Sequence, residues 1–311
     1  MNTTKKLTYL LLAMMLFNAS SFSQIYDKTK GKNVQAILTR PVMVHTAGDQ
    51  NYVARLKEAF NAWWKVSPFQ FLDDTKGPGE TSAETTVFRP VVVGLTVRGN
   101  ETSMNHPFFV YAEQGTSGRV NGEGIVVAFP INGFHYEFDV TSEQMYNHSF
   151  LRLPYMVANL NEMITHLKNN GSEKDYLKTV AQRTSKLASK TLIIPADLLK
   201  EWNVNPNTTA LMKGNLEAGK KPIKPINAAI LEASAITYSG KYKIMSTEEI
   251  VKLEQSEDAD KYALFLPAID HHKYILVYDL KTKELLYQDD VTMSMKVKEK
   301  DFEKLAKAAG L

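Results

Sequence analysis

Asp270-His271-His272 is the place where this 311-residue chain sets imidazole and carboxylate ligand types side by side. Those donors suit zinc or copper. Adjacent residues on a strand point to opposite faces, however, and no second dense group of ligands accompanies the triplet. A solvated turn between two strands is therefore its expected role, with His271 and His272 as weak metal candidates and no cofactor expected. Gly115, Gly118, Gly122 and Gly124 flank Arg119 and could let backbone approach an anion. Phosphate cradles normally lead into a helix N-terminus, whereas this stretch leads into a strand. The expected structure is a hairpin tip, with Arg119 as its candidate binding residue.

Two aromatic residues and a set of acids complete the candidates. Trp63 and Trp64 could stack on a sugar or peptide. Neighbours on a helix lie about 100° apart, so one indole must leave the centre of the buried stripe. Trp63 fits the stripe and Trp64 is the one expected to reach a ligand. Glu137, Asp139, Glu143 and His148 fall near the middle of the chain, where a cleft between units would form. Paired carboxylates there could perform acid–base chemistry on a glycan. Nothing in the sequence sets their separation, and a solvated charged linker explains them more simply.

Several chemistries are excluded by what the chain lacks. It has no Gly-x-Ser-x-Gly elbow, no phosphate-binding Gly-Lys-Ser/Thr loop and no His-Glu-x-x-His helix. With no cysteine, thiolate nucleophiles, iron–sulfur clusters, thiolate zinc sites and disulfides are ruled out. No catalytic residue is nominated on this basis.

The N-terminus carries a destination. Lys5 and Lys6 precede an apolar run from Leu7 to Phe17, and Ser21 and Ser23 bracket Phe22. That run falls well short of the roughly 20 residues needed to span a bilayer as a helix. It reads as a signal peptide over residues 1–23, followed by a polar leader over 24–33. Cleavage after Ser23 removes two lysines and lowers the net charge from +3 to +1. A near-neutral chain with charges of both signs intermixed is not expected to bind nucleic acid. No later window reaches transmembrane length, and without a cysteine after the cleavage site no lipid anchor is expected. The mature protein is thus expected to be soluble, in the periplasm or outside the cell. The Ser-Phe-Ser-Gln ending resembles cleavage sites common among exported proteins of the Bacteroidota.

The elements that must position the candidates follow from periodicity. Pro41 to His45 predicts a strand, and Val53, Leu56, Phe60 and Trp63 predict an amphipathic helix over 51–64, capped by Asp49 or Asn51. Strands are predicted at 69–72, 87–97, 107–112 and 125–129. Two helices follow, striped by Leu153, Val157, Leu160, Ile164 and Leu167 and by Leu177, Val180, Thr184 and Leu187. The Asn169-Asn170-Gly171 break makes them an αα-hairpin. Beyond a strand at 191–194, a helix is predicted at 228–235. The last third reads as a strand at 242–245, a Ser246-capped helix to Leu253, a strand at 262–267, a hairpin of 274–279 with 284–288, and a helix over 298–309 stopped by Gly310.

The fold class is therefore α+β: two related helix-plus-mixed-sheet units, 34–150 and 151–311, the second beginning with the αα-hairpin. An internal repeat is suggested by spacing. Phe71 to Val91 matches Ile244 to Leu264, and Phe109-Val110-Tyr111 matches Ile275-Leu276-Val277-Tyr278. Trp63-Trp64 before Ser67-Pro68-Phe69 is similar to a pattern in exported Bacteroidota proteins of unassigned function, a resemblance that implies export but no catalytic residues. The expected function is non-catalytic binding or scaffolding in the cell envelope, with an envelope protein or surface component as partner. The alternatives are an envelope hydrolase acting on glycan or peptide, and a carrier of a small ligand or metal.

Overall fold

The computed structural model describes residues 38–46, 50–73, 86–97, 100–114, 120–130, 142–169, 171–204, 226–269, 272–292 and 296–311. It is a mixed α and β protein built on two main sheets. In the first half, strand β1 (Val42–Thr46) is followed by helix α1 (Gln50–Trp63), β2 (Phe69–Asp73), β3 (Thr86–Val97), β4 (Asn100–Gln114) and β5 (Val120–Pro130). The order across the sheet is β2-β1-β3-β4-β5. β1 runs parallel to β2 and β3, and the β3–β4 and β4–β5 pairs are antiparallel. Parallel β1 and β2 need a crossover, which α1 provides. Tyr52, Leu56, Ala59 and Phe60 form the buried stripe of α1. The Phe60 ring sits 5.5 Å from Phe69 and 6.3 Å from Phe71 on β2, which seats α1 on the sheet.

The second half opens on two helices, α2 (Ser142–Lys168) and α3 (Glu173–Arg183). Their turn is closed by Gly171 N–H donating to the His166 carbonyl at 3.0 Å, and Ser172 caps α3. Then come β6 (Thr191–Pro195), the ribbon β7 (Glu201–Val204) with β8 (Ile226–Ala229), β9 (Tyr242–Met245), helix α4 (Thr247–Glu254), β10 (Tyr262–Phe265), β11 (Ala268–Ile269), β12 (His272–Asp279), β13 (Leu285–Thr292) and helix α5 (Glu299–Ala309). The Ser246–Glu249 capping box expected for α4 is formed, and Gly310 stops α5 at φ 79°. The helix expected over 228–235 is instead strand β8 followed by a short 3₁₀ turn at Ala233–Ala235. Cross-strand pairing with β7 overrides the helix preference of those alanines.

Both faces of the second sheet are covered. Ile193, Leu264, Tyr274, Leu276 and Tyr278 face the larger core together with α1 and α2, while Leu192, Ile194, Phe265, Ile275 and Val277 face the core beneath α5. The unit boundary expected at 150/151 falls inside α2. This helix belongs to both halves: it packs along α1, and its Tyr155 ring lies 5.3 Å from Tyr278 of β12. Among the described residues no helix is long and apolar enough to cross a membrane.

In the six-stranded second sheet β9, β6, β10 and β12 follow in that order and both β11 and β13 pair with β12; β6 is parallel to β9 and β10, and the pairs of β12 with β10, β11 and β13 are antiparallel. The connections differ, since α1 joins β1 to β2 whereas 3₁₀ turns and the β7–β8 ribbon lie between β6 and β9.

Candidate functional site

Where α1 of the first half meets α4 of the second, their exposed sides leave an open groove of about 800 Å³. Asn51, Ala54 and Glu58 of α1 form one lip, and Thr247, Glu248, Val251 and Lys252 of α4 form the other. Phe150 of α2 and Arg55 lie at its floor, with the guanidinium 5.4 Å from the Phe150 ring centre. The groove follows from the fold: α1 and α4 are each amphipathic, each buries its apolar stripe, and the facing polar sides converge over α2.

Beneath the groove, four elements contribute one buried polar cluster. Arg55 of α1 pairs with Glu254 Oε2 at the end of α4. Tyr155 of α2 donates its hydroxyl to Glu254 Oε1 at 2.6 Å. Lys283, in the turn between β12 and β13, reaches the same oxygen at 3.2 Å and donates to the Leu280 carbonyl at 2.5 Å. Its ammonium also lies 4.5 Å from the Tyr155 ring centre, a cation–π distance. Lys283 adopts φ 60°, in the left-handed region that a side chain enters at a cost of roughly 1–2 kcal/mol. The Asp279 carboxylate shapes this turn by accepting the Lys281 and Thr282 amides at 3.0 and 2.9 Å.

The electrostatics follow from burial. Removal from water pushes the Lys283 ammonium below the usual lysine range, against the pull of Glu254. Burial, then the Glu254 charge, pushes the Tyr155 hydroxyl well above its usual value. At Asp279 burial alone would raise the carboxyl, but the Lys190 ammonium 2.9 Å away and the Thr282 amide hold it below the ordinary range. A depressed folded-state carboxyl adds stability that is present above its unfolded pKa and lost as pH falls through the folded one. Asp279→Asn is thus expected to flatten the acid limb of the stability–pH profile below about pH 4, measured by urea unfolding across pH. A variant limb as steep as the parent's would show that Asp279 does not contribute to it.

The residues singled out from sequence fare differently. The burial order of the tryptophans is reversed: Trp64 is 2% exposed, with its indole N–H donated to the Ser67 carbonyl at 2.9 Å, while Trp63 is only partly buried. Trp64 packs on Phe60 at 5.5 Å and offers no face for stacking. Arg119, His271, Glu137 and Asp139, with Gly115 and Gly118, lie outside the described residues. Gly122 and Gly124 are on β5, Glu143 and His148 are on α2, and His272 opens β12 opposite Thr292. Among the described residues no three His, Asp or Glu side chains form a cluster that could hold a metal ion. Arg55, Glu254, Tyr155 and Lys283 were not found by sequence reasoning, since Arg55 and Glu254 are 199 residues apart and follow no local pattern. No protein-family model, curated protein or solved structure matches the chain.

Proposed function

We propose that the protein is an exported, non-catalytic binding protein of the cell envelope, and that it seats a peptide segment of an envelope partner in the α1–α4 groove. The observation that carries this reading is the groove's construction at the junction of the two halves, over a floor clamped by Arg55, Glu254, Tyr155 and Lys283. These titratable groups engage one another, so their evident work is to hold α1, α2 and α4 in place. Apolar Ala54, Phe150 and Val251 flanked by Glu58, Glu248 and Lys252 suit the mixed character of a peptide. Export rests on the Lys5-Lys6 and Leu7–Phe17 pattern at the N-terminus. The common strand order of the two sheets supports descent of both halves from one duplicated α+β unit.

The test is capture of tagged protein from envelope extracts, with the groove filled in a parallel sample. The parent is expected to recover a partner in near-stoichiometric amount and to begin at Gln24. Ala54→Trp, at an exposed position of α1, is expected to lower that recovery at least about tenfold at unchanged melting temperature. Equal recovery by both proteins would remove the groove from the function.

A further inference from the structure

Strand β9 ends its sheet and, among the described residues, pairs with β6 alone. Its residues Tyr242 and Ile244 are 43% and 47% exposed, whereas their partners Leu192 and Ile194 on β6 are buried. Lys241 and Lys243 are exposed as well. Strand alternation places Tyr242 and Ile244 on the face that carries α5, beside Leu192 and Ile194, and the two lysines on the opposite face. The Lys243 ammonium lies 5.5 Å from the Tyr262 ring centre on that second face. The Leu192 amide donates to the Lys241 carbonyl at 2.9 Å, so Lys241 and Lys243 turn their backbone groups towards β6. Tyr242 and Ile244, the alternate residues, turn theirs outward. β9 is four residues long and flanked by lysine charge, which blunts an edge against indiscriminate pairing, yet it exposes two large apolar side chains on one face, so a partner strand must match the lysines as well as the apolar pair.

We infer that β9 is a docking edge for an extended partner segment in which acidic and apolar residues alternate, added to the sheet as one further strand. The outward N–H and C=O groups of Tyr242 and Ile244 supply the ladder. The partner's apolar side chains extend the surface of Tyr242 and Ile244, and its carboxylates meet Lys241 and Lys243 on the other face. Charge decides against a second copy as occupant. The antiparallel register of β9 with itself that sets Tyr242 opposite Ile244 also sets Lys243 opposite Lys243, and the one that sets Tyr242 opposite Tyr242 puts Lys241 opposite Lys243. This surface is separate from the α1–α4 groove and does not depend on it.

The probe is a fluorescein-labelled seven-residue peptide alternating Glu and Val, with an alternating Lys and Val peptide as its counterpart, titrated by anisotropy. The protein is expected to bind the Glu peptide at least about tenfold more tightly than the Lys peptide, and K241E/K243E to invert that preference. Ile244→Pro removes an outward donor without touching the β6 ladder and is expected to weaken binding about tenfold. Tyr242→Ser, which leaves the backbone intact, checks the apolar face by the same readout. Ala54→Trp is expected to bind the peptide as the parent does, which separates this edge from the groove. The inference is overturned if the Glu peptide does not bind, if charge reversal leaves its affinity unchanged, or if the protein dimerises in a way that Ile244→Pro abolishes.

Discussion

Glu254→Gln is expected to lower the unfolding free energy by about 3–5 kcal/mol in urea denaturation at neutral pH. Among the described residues the carboxylate is the anion that Arg55, Lys283 and the Tyr155 hydroxyl all contact, and its side chain is 5% exposed. The amide keeps the shape of the side chain but removes the charge, leaving two cations in a site that excludes water. Removing one partner of a buried ion pair costs far more than the pair itself contributes, because the remaining charge is stranded. Arg55 can recover some hydration through the groove, being 11% exposed, whereas Lys283 at 6% cannot. Lys283→Met added to Glu254→Gln therefore returns a substantial part of the loss, and the double-mutant cycle gives a coupling of about 1–3 kcal/mol. A single-variant loss below about 1 kcal/mol would mean that the cluster is hydrated and does not clamp the groove.

The same variant separates the groove's shape from its surface chemistry. Glu254 lies beneath the lips of the groove, so it touches a seated peptide only through the positions it imposes on Arg55 and on α4. Its loss loosens the floor, and partner recovery falls together with stability. Ala54→Trp acts on recovery alone. If Glu254→Gln lost stability yet recovered its partner in full, the groove would not need a rigid floor.

How much of this could be seen beforehand varies with the range of the interaction. Local pattern sufficed for α1, where the buried stripe repeats at helical spacing, and for α4, where Ser246 and Glu249 satisfy each other three residues apart. The β12–β13 hairpin was equally legible, since its strands follow one another directly. It failed at α2, which runs through Pro154 and past the expected unit boundary, because a helix packed on both halves is stabilised by contacts no short window contains. It failed again at Ala228–Ala235, where the deciding partner is β7. At Trp63-Trp64 periodicity showed that the indoles diverge, but the choice between them depended on Phe60 and the Ser67 carbonyl. The site itself is the extreme case. A glutamate, an arginine, a tyrosine and a lysine from four separate elements look like surface residues until topology brings them together, and only a lysine at φ 60° marks the turn as constrained.

A second buried pair, under α5, sets an effect of similar size with the opposite charge left behind. Lys273 of β12 and Asp301 of α5 have side chains 0% exposed, and their charged atoms are 2.5 Å apart. Lys273 also donates to the Lys296 carbonyl at 3.1 Å, and Asp301 accepts the Lys298 amide at 2.7 Å, which caps α5. Lys273→Met preserves the apolar stem and removes the ammonium, stranding the carboxylate at a cost of about 3–5 kcal/mol near neutral pH. Adding Asp301→Asn removes the stranded charge while an amide oxygen still caps the helix, and is expected to return most of the loss at neutral pH. A Lys273→Met loss that the asparagine failed to restore would show that lost packing rather than the buried charge governs this side of the sheet.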